Sequence, residues 1–271
     1  MTSYGRAAGT IWFILSTEHV FFTKVNLLQL KFAFPPHRND SFENFVVDGN
    51  NEKAALICNH FTGKNQDRPA SLVITGPPGS GKTHLLTAMG KEASAQSGSS
   101  SLYLDGADLV EKVGGSGTYE ELKIRLASFE SASFLAIDRL EIIEGAKESE
   151  DQVFHLYNAV TQAGGRFAAA LRTPPSKWRF ADWLATRLLW GHVLTLEPVG
   201  DDRKVEVLQK MASDLRLTLP RREANWMLTH LDRDPKSQLK ALSLIDQRSL
   251  TTGKKVSIPL IKKALEHTDA G

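Results

Sequence analysis

Cysteine is almost missing from this chain. Cys58 stands alone among 271 residues, which excludes an internal disulfide framework and any cysteine-based zinc cluster, and fits a reducing compartment, the cytoplasm being the expectation. Charge of one sign is also lacking: 33 Lys and Arg face 31 Asp and Glu, a formal +2. Bulk electrostatics therefore gives no reason to expect nucleic acid, and any DNA contact has to be local. Long hydrophobic runs are absent as well. The apolar stretch from Ile11 to Leu15 is broken by Ser16, Thr17, Glu18 and His19, far short of the roughly 20 residues that a spanning helix needs. It also falls short of the about 7 to 15 apolar residues and small-residue cleavage site of a signal peptide. Residues 1–28 are expected to be a disordered or mis-started extension, and no membrane association is expected. Internal repeats and low-complexity tracts are lacking.

What is there is an ordinary folded composition, 41% apolar, 24% charged and 8% aromatic, which supports a packed core without covalent staples. The length favours one domain plus an appendage. From residue 70 onward short apolar runs alternate with longer helical patterns, the signature of a parallel sheet covered by helices. Strands are predicted at 71–75, 101–105, 133–138, 166–171 and 192–196, and helices at 82–95, 107–113, 119–129 and 151–163. The glycines of 114–117 interrupt the helical period and predict a surface connection. After Pro198 the pattern becomes helical, at 200–215, 221–231, 236–250 and 259–265, with Asp201 and Pro259 as start signals. This segment carries 14 Lys and Arg against 10 Asp and Glu, a surplus that reads as a solvated surface. The fold class is therefore α/β, a five-stranded parallel sheet covered by helices, followed by a small all-helical second domain.

The chemistry begins at Gly76, Pro77, Pro78, Gly79, Ser80, Gly81, Lys82 and Thr83. They match G-x-x-x-x-G-K-[ST] in full, directly after a predicted strand and at the start of a predicted helix, which is the context that gives the motif its meaning. The glycines let the backbone curl so that successive N–H groups face phosphate oxygens, and the helix N-terminus adds a favourable dipole. Lys82 is expected to neutralise phosphate charge and Thr83 to ligate Mg²⁺. Asp138 ends an apolar strand and is the candidate to hold the same ion through water. The residue after it is Arg139, where hydrolysing relatives carry a second acid. Glu141 could take that role only if the chain folds back. Binding thus reads as better supported than hydrolysis.

These residues resemble the AAA+ ATPases, and within them the DnaA and Hda branch. Phe42 to Val46, Gly81 to Leu85 with His84 in the phosphate-loop segment, and Val256 to Ile258 are similar to family segments in the family's order, and the resemblance spans residues 29–266. It implies several roles. Phe45 and Val46 would lie beside the adenine of bound ADP or ATP, although both also suit a core. Arg187 falls where the family carries its arginine finger; by itself it would read as a surface or salt-bridged arginine. Lys236 aligns with the nucleotide-sensing arginine of the lid, keeping the charge but not the bidentate fork, and equally suits an exposed helix. Arg172 stands where relatives place an Asp or Asn that polarises water, and it cannot accept that hydrogen bond.

Gln29, Leu30, Phe32 and Phe34 look like the short peptide by which this branch binds the DNA polymerase sliding clamp; extended, it places the three apolar side chains on one face. As a six-residue alternation alone it would equally suit a half-buried strand. Initiators of the family continue past the lid into a helix-turn-helix, whereas here only 266–271 follow the last predicted helix, so sequence-specific DNA binding is not expected. The domain division is then 1–28 extension, 29–34 clamp peptide, 35–198 AAA+ domain and 199–271 lid. The implied function is stimulation of hydrolysis of ATP held by DnaA, with the loaded clamp as second partner and self-association left open. The alternatives are an autonomous ATPase that loads or remodels a replication complex, an adaptor in which nucleotide only stabilises the fold, and, least suited, a small-molecule kinase.

Overall fold

The computed structural model describes residues 40–63, 69–95, 100–113 and 132–266. The extension, the Gln29–Phe34 peptide, the glycine connection and the helix predicted at 119–129 lie outside them. A first helix, α1 (Glu52–Thr62), precedes β1 (Ser71–Thr75), α2 (Lys82–Ala95), β2 (Ser101–Asp105), α3 (Gly106–Val113) and β3 (Phe134–Asp138). Then come α4 (Lys147–Gln162), β4 (Arg166–Leu171), α5 (Asp182–Leu189) and β5 (His192–Thr195). The sheet runs β2-β3-β4-β1-β5 with every neighbouring pair parallel. β1 and β3 are buried at every position, as strands covered on both faces must be, and this is why they read as continuous apolar runs.

Side-chain alternation sorts the core into two layers. Leu72, Ile74, Phe134, Ala136, Ala168 and Ala170 pack with Leu85, Leu86 and Met89 of α2 and with α1. Val73, Leu135, Ile137, Phe167, Ala169 and Leu171 pack with Val153, Leu156 and Val160 of α4 and with Leu184 and Leu188 of α5. The period of two carries Asp138 onto the α2 side, in line with Phe134 and Ala136.

The α5 helix is an element that pattern reading misses. It has eight residues, no side-chain N-cap and only the Leu184 and Leu188 pair turned inward, too little period to register. Its start is fixed from a distance. Buried Glu150 of α4 accepts one hydrogen bond from Gly145 N at 2.7 Å and another from Ala181 N, just ahead of α5, at 2.9 Å. Glu150 also belongs to the reason α4 starts four residues before its predicted onset.

The helical second unit comprises α6 (Lys204–Asp214), α7 (Arg221–His230), α8 (Pro235–Thr252) and α9 (Ile258–Leu265), around Leu208, Ala212, Ala224, Met227, Leu242, Ile245 and Ile261. The single helix predicted at 200–215 is corrected to a 3₁₀ turn, Asp201–Arg203, followed by α6. Gly200 stays outside because its N–H is donated to the Asp48 carboxylate at 2.6 Å, next to the bond from Asn50 Nδ2 to Pro198 O. The α8 helix starts at Pro235 because Asp234 caps it, accepting from Ser237 N at 2.8 Å. Among the described residues no helix is long and apolar enough to cross a membrane.

Glu150→Ala is expected to cost about 2–3 kcal/mol, since two hydrogen bonds to a charged acceptor are lost. Glu150→Gln, which keeps one acceptor oxygen, should cost less than half of that. Denaturant midpoints at constant slope check both.

Candidate nucleotide site

The strand order reverses around β1, so the segment that leaves its carboxyl end lies where open α/β sheets bind ligands. That segment is Gly76–Thr83. Gly79 and Gly81 adopt φ of +80° and +100°, a region that side chains rarely enter. Space forbids a side chain as well: a Cβ on Gly81 would stand 2.6 Å from Phe45 Cε2, and one on Gly79 would stand 2.4 Å from Pro235 Cγ. The loop is thus gripped between the segment ahead of α1 and the first residue of α8.

Lys82 donates to Gly76 O at 2.6 Å and Pro77 O at 2.8 Å, so its ammonium lies inside the curl of the loop. Burial pushes Lys82 below the ordinary lysine range, opposed by the negative charges of Asp138 and Glu141. Thr83 donates its hydroxyl to Asp138 Oδ2 at 2.6 Å, and Tyr103 donates to the same oxygen at 2.9 Å. Asp138 Oδ1 accepts from Arg139 N at 2.9 Å. Two hard oxygen donors from different elements thus converge near the partly buried Lys82, a donor set that suits Mg²⁺.

The departures around Asp138 acquire a geometry. Arg139 takes a left-handed backbone, φ 54° and ψ 41°, and its guanidinium turns away to Asp105, with Nε 2.8 Å from Oδ2. The 3₁₀ turn Leu140–Ile143 that follows folds the chain back. Glu141 is brought 3.0 Å from Arg172 Nε, at the end of β4, and within electrostatic reach of Lys82 and Asp138. Burial raises the Glu141 carboxyl above its usual range, against the pull of Arg172.

His84 turns from the loop toward the segment ahead of α1. Its Nε2 lies 2.8 Å from Ser41 O, its Nδ1 3.3 Å from Asp40 Oδ1, and its ring meets Phe45 edge-on at 5.0 Å. Asp40 also pairs with Lys210 of α6, which is 2.8 Å from Asp214. Phe45 therefore touches the loop, while Val46 is held through its carbonyl, which accepts from Asn51 Nδ2 at 3.0 Å. Lys236 is exposed on the first turn of α8, next to the Pro235 that meets Gly79. Arg187 is on α5, half-buried and stacked over Trp190 with its guanidinium carbon 3.8 Å from the ring centroid. Ser80, buried, lies 3.4 Å from Lys82 Nζ through its hydroxyl.

The family described as the bacterial DnaA ATPase domain matches residues 37–195, more than half of the chain, and the Hda lid domain matches residues 201–265. The chain belongs to the DnaA ATPase family. An uncharacterized protein of Haemophilus influenzae is 29% identical over 236 residues, covering 85% of this chain and 96% of the relative. Domain III of the Thermotoga maritima replication initiation protein DnaA superposes with a TM-score of 0.74 at 24% identity, over 88% of this chain and 98% of that one. AMPPCP-bound DnaA from Aquifex aeolicus gives 0.64 at 20% identity, over 81% and 68%. The fold is that of an AAA+ ATPase with a helical lid of the Hda kind.

Sequence reasoning missed four participants of this DnaA-family site. Tyr103 had a readable signal, since its strand position is two before Asp105, which pairs in register with Asp138. Asp40 and Lys210, which cluster with His84, and Pro235 had none, because each meets residues that are remote in the chain.

Burial is the largest influence on His84 and pushes its imidazole below the ordinary value of 6.5, against the opposite pull of Asp40. The unfolded chain then binds the proton more tightly than the folded one, so stability falls as pH drops through 6.5 toward the folded value. Denaturant midpoints at pH 7.5 and 5.5 should show this loss, and His84→Gln should reduce it.

Proposed function

We propose that this DnaA-related chain is an Hda-like regulator of replication initiation in the bacterial cytoplasm, which promotes hydrolysis of ATP bound by DnaA. On this reading the AAA+ domain is 35–198 and the lid is 199–271. The chain holds ADP or ATP on Gly76, Gly79, Ser80, Gly81, Lys82, Thr83 and His84, with Phe45 and Val46 at the base and Lys236 at the lid. The residues at 29–34, through Gln29, Leu30, Phe32 and Phe34, bind the sliding clamp on DNA. Arg187 is presented to ATP on DnaA, where a guanidinium stabilises charge that develops on the transferring phosphoryl group. Residues 1–28 take no part.

The observation that carries this reading is Arg187 itself: half-buried at its root and without an ion pair among the described residues. A carboxylate partner would cancel the charge that a neighbour's phosphate needs. Lys82 and the loop N–H groups would hold the chain's own nucleotide, with Thr83 and Asp138 positioned for the accompanying ion. Mg²⁺, when bound, supplies positive charge against the phosphates.

The second reading, an ATPase acting for itself, is favoured by one specific observation: Glu141 folds back to Arg172, within electrostatic reach of Lys82 and Asp138. It requires turnover by the isolated chain that Glu141→Gln removes.

Three outcomes test the first reading. With labelled ATP on DnaA, clamp and DNA, the wild-type chain should accelerate hydrolysis and Arg187→Ala should return it to the unstimulated rate, a finger being worth roughly 10³–10⁵ in rate. Equal stimulation by the variant rejects the finger. In a clamp pulldown, Gln29→Ala combined with Phe34→Ala should abolish retention. Lys82→Ala should weaken ATP binding at least about tenfold, a loss of about 1.4 kcal/mol or more, as read by equilibrium dialysis.

A further inference from the structure

The α5 helix ends in an unusual surface. Leu189 is 49% exposed and Trp190 67% exposed, and the Trp190 indole is covered by the guanidinium of Arg187, centred 3.8 Å away. The same guanidinium lies 5.6 Å from the Phe154 ring centroid. Phe154 is fixed in turn by an edge-on contact of 5.1 Å with Trp183. The Phe154 ring is thus placed by a contact that does not depend on the arginine.

The backbone that carries Trp190 is fixed too. Its N–H is donated to Arg187 O at 3.2 Å, closing the helix. The next residue, Gly191, runs so close to β1 that a Cβ there would stand 2.1 Å from Ser71 O. The indole is therefore launched from a rigid point between a helix end and a sheet edge, although its ring is mostly in solvent.

Stacking holds a guanidinium differently from an ion pair. The ring covers the flat face, while the N–H donors point outward in the guanidinium plane and keep their freedom to meet phosphate oxygens. The positive charge is retained. A free arginine side chain would lose about 2 kcal/mol of rotamer entropy on being ordered, and a surface that pre-orders it removes part of that cost before a partner arrives.

We propose that Trp190 is the positioning residue of the Arg187 finger: its exposed indole holds the guanidinium extended, charged and with its donors free for the phosphates of a nucleotide on a neighbouring ATPase. This rests on the finger reading of Arg187 given above, and deepens it. Trp190 acts through Arg187 and makes no contact with the reacting atoms.

The test uses the full chain with ATP-loaded DnaA, clamp and DNA, and separates maximal rate from the concentration giving half of it. Trp190→Ala and Trp190→Leu should each lower the maximal rate about three- to tenfold, the range a cation–π contact supports, with half-saturation unchanged. Leucine keeps the apolar bulk but has no π face. Trp190→Phe should restore most of the rate. With Arg187→Ala in place, Trp190→Ala should have no further effect. Clamp retention and denaturant midpoint of the exposed-site variants serve as folding readouts and should match wild type.

A wild-type maximal rate in Trp190→Ala, or in Trp190→Leu, overturns the proposal. So does an effect confined to half-saturation, which would make Trp190 a docking contact. If Arg187→Ala stimulates like wild type, it is the finger reading that fails. If Arg187→Ala is inactive while Trp190→Ala is fully active, only the positioning role fails.

Discussion

The phosphate loop is held in place by contacts that exist only because Gly79 and Gly81 have no side chains. Phe45 closes on one and Pro235 on the other, so the segment ahead of α1 and the first turn of the lid's longest helix meet on a few backbone atoms. The rest of the structure serves this meeting. The parallel sheet holds β1 between β4 and β5, the left-handed backbone of the glycines turns the chain, and α2 begins with its N–H groups directed into the turn. A methyl group at either position would push one of the two neighbours off the loop.

Charge around the loop is arranged as a circuit of near neighbours. Lys82 is satisfied by loop carbonyls, and Asp138 by Thr83, Tyr103 and the Arg139 backbone. The two arginines that depart from the family pattern do not behave alike. Arg139 is drawn out to Asp105, leaving Asp138 with its backbone only, whereas Arg172 engages Glu141 and opposes the effect of burial on that carboxyl. Each of these two arginines thus has a carboxylate partner.

How much of this could be read without coordinates follows from the range of each interaction. β1, β3 and β4 were legible because burial on both faces leaves an uninterrupted apolar run, and the loop was legible because its chemistry is contiguous in the chain. Asp138 was found by position, at the end of a buried strand. The α5 helix was not, since its start is set by Glu150, some thirty residues earlier, and its amphipathic stripe is two leucines. The break at Gly200 was hidden for the same reason: the Asp48 carboxylate that holds it lies in another part of the chain. Local patterns are visible in sequence; contacts that join remote segments are visible only once the sheet has brought them together.

Pro235 is also the near end of a long rigid body. The α8 helix has 18 residues, and at 1.5 Å per residue it extends roughly 27 Å from the phosphate loop. Such a helix is a lever with its short arm on the phosphate loop: a tilt of about five degrees at Pro235 carries the Thr252 end roughly 2 Å by that geometry. A change in the loop's curvature that tilted α8 would thus emerge, enlarged to ångströms, at the far surface of the lid.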